Sequence, residues 1–258
     1  MEKKFPVPKE IKEFAQVFID NGYCLYIVGG AVRDYLLSRK NSDYDFCTNA
    51  RPEDVKKLFP HVIPTGIKHG TVTVLFHNQS YEVTTFRSEA KYSDHRHPDQ
   101  VQFVSNLQED LARRDFTVNA FAAHCVTGEI VDLFNGFQDL NNKIIRAIGE
   151  GETRFTEDAL RLMRLARFCS KLSFLPDFQT LKDAKKCAPL IVHISKDRIM
   201  DELNKILMTD KPSVGLSILE ITGLLNYILP EVEVLSDLDQ YKVGANDVRQ
   251  QAYNAIDI

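Results

Sequence analysis

Two carboxylates set two residues apart, Asp43 and Asp45 in Ser42-Asp43-Tyr44-Asp45-Phe46, are the first residues able to do chemistry. On an extended strand this spacing projects both side chains from one face. Like charges held so close repel unless solvent or a cation lies opposite, and such hard oxygens suit magnesium or manganese. The competing reading is an exposed edge strand carrying two solvated acids, as isolated acid pairs often are. The preceding segment, Ile27-Val28-Gly29-Gly30-Ala31-Val32-Arg33-Asp34, shifts the balance. Glycines between an apolar run and a helical one let backbone N–H groups approach phosphate oxygens, and the start of a helix favours negative charge. Arg33, one turn in, can grip a triphosphate with two parallel hydrogen bonds. A third acid, Glu82, lies in the alternating run Tyr81-Glu82-Val83-Thr84-Thr85-Phe86. If that strand lies beside the first, three carboxylates make a two-ion site for in-line phosphoryl transfer. A solvent-facing strand acid is the alternative for Glu82.

Two further runs crowd charge against apolar periodicity. In EDLARRDFTVNA, residues 109–120, pairs such as Asp110 with Arg114 support a helix modestly. Arg114 can neutralise phosphate charge, and Asn119 can fix a loop or a ribose. In RFTEDALRLMRLARF, residues 154–168, Thr156 is the expected N-cap before acids in a first helical turn. Asp158, Arg161, Arg164 and Arg167 recur every third residue, a stripe expected to face water or an anion. The Asp158 carboxylate can accept from the exocyclic amine of cytosine or adenine while Arg161 donates to the neighbouring ring nitrogen. Uracil and guanine present a carbonyl there, so a buried carboxylate would reject them.

The elements that must position these groups begin with a helix over 9–21, where Ile11, Phe14, Ala15 and Phe18 share a stripe. Strands are expected at 24–28, 42–47, 71–76 and 81–86, with helices at 31–38 and 52–59. Residues 88–100, SEAKYSDHRHPDQ, hold almost no apolar side chain and read as an exposed, mobile loop. Beyond residue 140 the β signals fade, and helices are expected at 157–170, 178–188, 196–208 and 214–226. The composition, 44% hydrophobic and 26% charged over 258 residues, is that of a globular chain with a sizeable core. No run approaches the length of a membrane span or a signal peptide, so a cytoplasmic location is expected. The net charge of −4 arises after Leu229, where six acids meet two bases; any RNA contact must therefore use local basic patches. The five cysteines are scattered and read as reduced, mostly buried thiols. His69 reads as a turn or phosphate-proximal residue rather than a general base, and His95 and His97 fall in the expected loop.

The ordered segments GGAVRD, DYD, EVTTFR, EDLARRDFTVNA and RFTEDALRLMRLARF resemble those of the class II (bacterial-type) tRNA nucleotidyltransferases, the CCA-adding and A-adding enzymes, and their poly(A) polymerase relatives. The resemblance implies an α+β chain. A nucleotidyltransferase head like that of DNA polymerase β, with a mixed sheet, would span 1–140. An all-helical neck would follow over 141–210 and the start of a helical body over 211–258. It implies that Asp43 and Asp45 bind two Mg²⁺ ions, or Mn²⁺; Glu82, read from its strand rather than from the resemblance, is the candidate third catalytic acid. Gly29, Gly30, Arg33, Arg114, Asp115 and Asn119 would serve the triphosphate and sugar, and Asp158, Arg161, Arg164 and Arg167 the base. Arg198 and Glu202 resemble the family's neck motif beneath that template. The implied partners are the tRNA 3′ end, ATP and CTP, with no membrane, in a monomer or homodimer. The loop at 88–100 resembles one found in CCA-adding and A-adding enzymes. Full CCA addition and A-only addition stay open, as do poly(A) synthesis and a non-catalytic RNA-binding role. Relatives continue further into body and tail, so truncation near Ile258 is expected.

Overall fold

The computed structural model describes residues 4–40, 43–90, 100–233, 253 and 255–257. It separates into two compact units, the first reaching to Leu140 and the second beginning at Asn141.

The first unit opens with helix α1 (Lys9–Asp20), whose buried Ile11, Phe14, Ala15 and Phe18 form one stripe. Strand β1 (Leu25–Val28), helix α2 (Gly30–Leu36), strand β2 (Asp45–Thr48) and helix α3 (Pro52–Leu58) follow, then strands β3 (Val62–Gly66), β4 (Thr71–Phe76) and β5 (Gln79–Thr85). Strands β6 (Arg87–Ala90) and β7 (Gln100–Phe103) form a separate antiparallel ribbon. Thus both ends of the segment expected as a loop are paired strand, and residues 91–99 lie outside the described residues. Helix α4 (Leu107–Ala112), strands β8 (Phe121–His124) and β9 (Ile130–Asp132), and helix α5 (Gly136–Asn142) complete the succession.

Seven strands form one mixed sheet in the order β3-β4-β5-β2-β1-β8-β9. Its pairs are antiparallel except β2 with β5, which run parallel because α3 and the β3–β4 hairpin carry the chain across between them. Phe14 of α1 stacks on Tyr81 at 4.5 Å between ring centroids and meets Phe46 at 5.8 Å, clamping the helix onto the two strands that carry the acids. Asp43 falls just ahead of β2, not within it as expected.

In the second unit β10 (Ile144–Ile145) precedes helices α6 (Gly151–Glu157) and α7 (Leu160–Leu172). Strand β11 (Leu175–Pro176) pairs with β10 in parallel, a two-residue departure from purely helical structure. Helices α8 (Phe178–Cys187), α9 (Lys196–Leu207), α10 (Pro212–Ile221), α11 (Leu225–Ile228) and α12 (Pro230–Glu233) follow. The nearly all-buried α7 packs against α9 and α10. Gly215 lets α10 approach α9 closely, since a Cβ there would lie 2.5 Å from Ile206 Cγ2.

Two expected helices are broken. The run 157–170 is interrupted at Asp158, whose backbone turns extended (φ −138°, ψ 103°). Thr156 therefore lies inside α6 rather than capping anything, and the Leu160 N–H donates to Asp158 Oδ1 at 3.1 Å as α7 begins. The run 214–226 starts earlier, ends at Ile221, and resumes only after Gly223 at φ +79°. Among the described residues no helix is long and apolar enough to cross a membrane.

Candidate active site

Asp45 is the first residue of β2, and its Cα partner across the parallel pair is Glu82 of β5. Side chains at paired positions share a face, and Asp43, Asp45 and Glu82 line one cleft of about 590 Å³ together with Glu10. Burial of its carboxylate and the neighbouring Asp43 push Asp45 above the ordinary carboxylate range, while Arg114 pulls it down. The residue as a whole keeps an exposed edge, so the side chain is desolvated on the protein side and open on the other. A divalent cation fits this donor set: hard oxygens, one face, and a mutual repulsion that positive charge relieves. Among the described residues no three His, Cys, Asp or Glu side chains converge into a metal cluster. Glu82, exposed on the neighbouring strand, lines the cleft without closing such a set.

The glycine turn is built around arginine. Gly29 sits at φ +70°, and a Cβ there would lie 3.1 Å from Arg114 Nη1; the missing side chain is what admits the guanidinium. Its N–H is spent on Phe121 O at 3.0 Å, which removes one amide from those expected to face phosphate. Gly30 opens α2, and its absent Cβ would lie 3.5 Å from Arg33 Nη2.

Arg33 is only 2% exposed. Its Nη2 meets Asp34 Oδ1 at 2.7 Å and its Nη1 donates to Asn119 Oδ1 at 2.5 Å. Asn119 in turn donates to Asp115 Oδ1 at 3.1 Å, so Arg33, Asn119 and Asp115 form one buried chain behind the turn. Arg114 is held from below by Asp110, a fully buried carboxylate 3.5 Å from Nη2 that also accepts from Arg113 Nη2 at 3.0 Å and from the Arg87 N–H at 3.2 Å. Sequence reading paired Asp110 with Arg114 but missed its grip on the base of the β6–β7 ribbon. His69 ends a 3₁₀ turn, and its carbonyl accepts from Arg87 Nη1; His95 and His97 lie outside the described residues.

In the second unit the four residues of the expected stripe part company. Asp158 stands at the break between α6 and α7, and Arg198 of α9 donates from Nη2 to its Oδ2 at 3.0 Å. Arg161, 8% exposed, pairs with Glu157 Oε2 at 2.7 Å and donates to the Arg154 carbonyl at 3.1 Å. Arg167 meets Glu202 Oε2 at 2.7 Å and lies 4.4 Å above the Phe168 ring, while Arg164 lies 5.4 Å above the same ring. Carboxylates and an aromatic face meet these arginines, where water or an anion was expected. Glu157 and Arg154 were the missed members, hidden because each reads as an ordinary i to i+4 or i+3 helix pair. All five cysteines are free thiols; four are buried and Cys24 is half-buried.

Residues 25–146 match the family described as poly A polymerase head domain, and residues 173–235 the one described as probable RNA and SrmB-binding site of polymerase A. The CCA-adding enzyme of Limosilactobacillus reuteri (strain DSM 20016) is 50% identical over 206 residues, 80% of this chain and 51% of that protein. The chain belongs to the class II tRNA nucleotidyltransferase and poly(A) polymerase family. A second family member, the CCA-adding enzyme of Lactobacillus helveticus (strain DPC 4571), is 54% identical over 191 residues, 74% of this chain and 48% of that one. Among solved structures of the family, the crystal structure of the Bacillus stearothermophilus CCA-adding enzyme in complex with CTP superposes with a TM-score of 0.77 at 44% identity, covering 84% of this chain and 52% of that one. The chain spans about half the length of the curated relatives it matches.

Proposed function

We propose that this chain carries the catalytic part of a nucleotidyltransferase that adds C and A from CTP and ATP to the 3′ end of tRNA without a nucleic-acid template, in the cytoplasm. The observation that carries the reading is the cleft lined by Asp43, just ahead of β2, with Asp45 and Glu82 on adjoining strands, and with Arg114 near enough to act on Asp45. Asp43 and Asp45 would hold two Mg²⁺ ions, or Mn²⁺; such ions supply Lewis-acid activation of the attacking 3′-hydroxyl and charge neutralisation at the departing pyrophosphate. Arg114, admitted over Gly29 and steadied by Asp110, would balance triphosphate charge. Arg33 serves from behind, keeping Asn119 and the turn in register. The neck over 141–210 would choose the base: Asp158 accepts from an amino group and Arg161 donates beside it, so cytosine and adenine pair where uracil and guanine do not. Arg198 and Glu157 hold these two side chains in place, with Arg164 and Arg167 supporting. Residues 211–258 would begin the helical body. The CCA-adding activity named for the relatives supports the tRNA reading.

The description of the first matching family, a poly A polymerase head, favours one alternative, homopolymer synthesis on other RNA. Incubation with Mg²⁺, labelled ATP and a tRNA ending in discriminator-C-C should extend the RNA by a single nucleotide. A homopolymer ladder would select the alternative, and no extension at all would leave an RNA-binding role. On tRNA lacking the whole terminus, CTP alone should add two residues and CTP with ATP three.

A further inference from the structure

Beside the acid cleft lies a second cleft, of about 480 Å³, whose lining includes Phe5, Tyr35, Arg39, Lys40 and Tyr44 and no acidic residue. Tyr44 belongs to both clefts; in the chain it stands between Asp43 and Asp45. The two hollows therefore meet at one aromatic side chain and carry opposite charge: four carboxylates line one, an exposed arginine and lysine the other.

The aromatic wall is preset. Phe5, 5% exposed, meets Tyr35 edge-on at 5.1 Å and Tyr44 edge-on at 6.3 Å, so one buried ring fixes the pitch of both tyrosines. Tyr35 is also anchored through its hydroxyl, which donates to the Lys4 carbonyl at 2.9 Å. Both tyrosine rings stay half-exposed at the cleft. Arg39 and Lys40 follow α2 just after the left-handed Ser38, on the solvent side.

Half-exposed aromatic rings beside cations, with no acid among them, form a lining that takes single-stranded nucleic acid: bases stack, phosphates pair, and no base edge is read. A nucleoside triphosphate fits this cleft poorly, because the carboxylates that would gather its cations line the neighbouring one. We infer that the cleft between Tyr35 and Tyr44 seats the single-stranded 3′ end of the RNA primer, with its backbone phosphates against Arg39 and Lys40. This rests on the acid cleft being the site of nucleotide transfer, since the shared Tyr44 would then hand the terminal hydroxyl to Asp43 and Asp45.

The test uses the full chain carrying Arg39→Gln with Lys40→Gln, two exposed positions whose change leaves the core intact. In steady-state transfer the KM for tRNA should rise about tenfold, and its dependence on salt should flatten by about 1.4 in log–log slope, the share of two phosphate contacts to a single strand. The KM for ATP and CTP should stay as it was. Tyr35→Leu should weaken primer binding as well, and Tyr35→Phe should restore it by returning the ring. An unchanged tRNA KM and salt slope in an active enzyme would overturn the inference and leave the function standing; a raised nucleotide KM instead would overturn it by assigning the cleft to the triphosphate. If the wild type transfers nothing, the function fails separately. Fluorescence anisotropy with a short labelled RNA ending in C-C then decides the cleft, since weaker binding to the double variant supports it and equal binding overturns it.

Discussion

The carboxylates of the acid cleft and the carboxylate of Asp158 are prepared in opposite ways. Asp45 stands next to a second acid on an open face, and its proton affinity is raised by burial and by that neighbour. Asp158 has Arg198 at 3.0 Å, and its Oδ1 accepts the first N–H of α7. On the proposed function, the group that would receive a mobile cation is left frustrated, so that the ion would supply the missing charge. The group that would discriminate between neutral bases on the same proposal is neutralised and oriented in advance, so that only geometry would be left to decide.

Removing charge from the frustrated side should have the largest effect. Asp45→Asn should cut transfer by about 10³-fold or more, since on the proposed function it would delete a cation ligand at the reacting centre. The fold should not suffer: in Mg²⁺-free buffer its Tm should equal or exceed that of the parent, and the rise in Tm that Mg²⁺ gives the parent should vanish. A variant that unfolds instead would make Asp45 structural and break the contrast. On the prepared side, Arg198→Met should lower kcat/KM for CTP and ATP by about 10- to 100-fold, an effect of a few kcal/mol for a charged pair. UTP should be affected less, so that the ratio of correct to incorrect nucleotide narrows. An unchanged ratio would show that Asp158 orients itself. Gly29→Ala lies between the two in kind. It strains a φ of +70° and pushes Arg114 by a few tenths of an ångström, which should cost about 1 kcal/mol of stability and a measurable rise in the KM for nucleotide.

How far this arrangement was legible beforehand depends on range. The strand at Thr71–Phe76 and the stripe of α1 could be read because alternation and helical spacing are local signals. The placement of Asp45 opposite Glu82 needed a parallel crossover that the alternating pattern allows but does not specify. The strand Val62–Gly66 escaped because it is largely exposed and carries Pro64, which erases alternation. The break at Asp158 was hidden because apolar spacing continues across it into α7, so periodicity alone joins what one backbone turn divides. The Gly29 and Arg114 contact was beyond reach for another reason. A glycine that turns and a glycine that makes room for a distant guanidinium look the same in one dimension.

Desolvation can also be tested where no ligand is involved. Burial pushes the Cys169 thiol of α7 up to about 12, whereas Cys24, raised in the same direction, keeps a half-exposed position just ahead of β1. An ionisable acid with a raised pKa keeps its proton in the fold after the unfolded chain has lost it, so stability falls as pH climbs from about 9 towards 12. The fall should approach about 1.4 kcal/mol per pH unit within that window for this one thiol. Urea midpoints at pH 8 and pH 10.5 should separate less in Cys169→Ala than in the parent. In the native protein at pH 8.5, iodoacetamide should modify Cys24 before Cys169.

The Phe5 ring that sets the pitch of Tyr35 and Tyr44 belongs to a stretch tied by its backbone to a distant hairpin bend. The Phe5 N–H donates to the Gly128 carbonyl at 2.8 Å, and a Cβ on Gly128 would lie 2.4 Å from the Phe5 carbonyl. Position 128 thus works as the fulcrum of a lever. A single methyl group there, on a bend that borders neither hollow, would displace the Phe5 backbone and tilt the aromatic wall, so the proposed grip on the primer would change through a residue that never meets it.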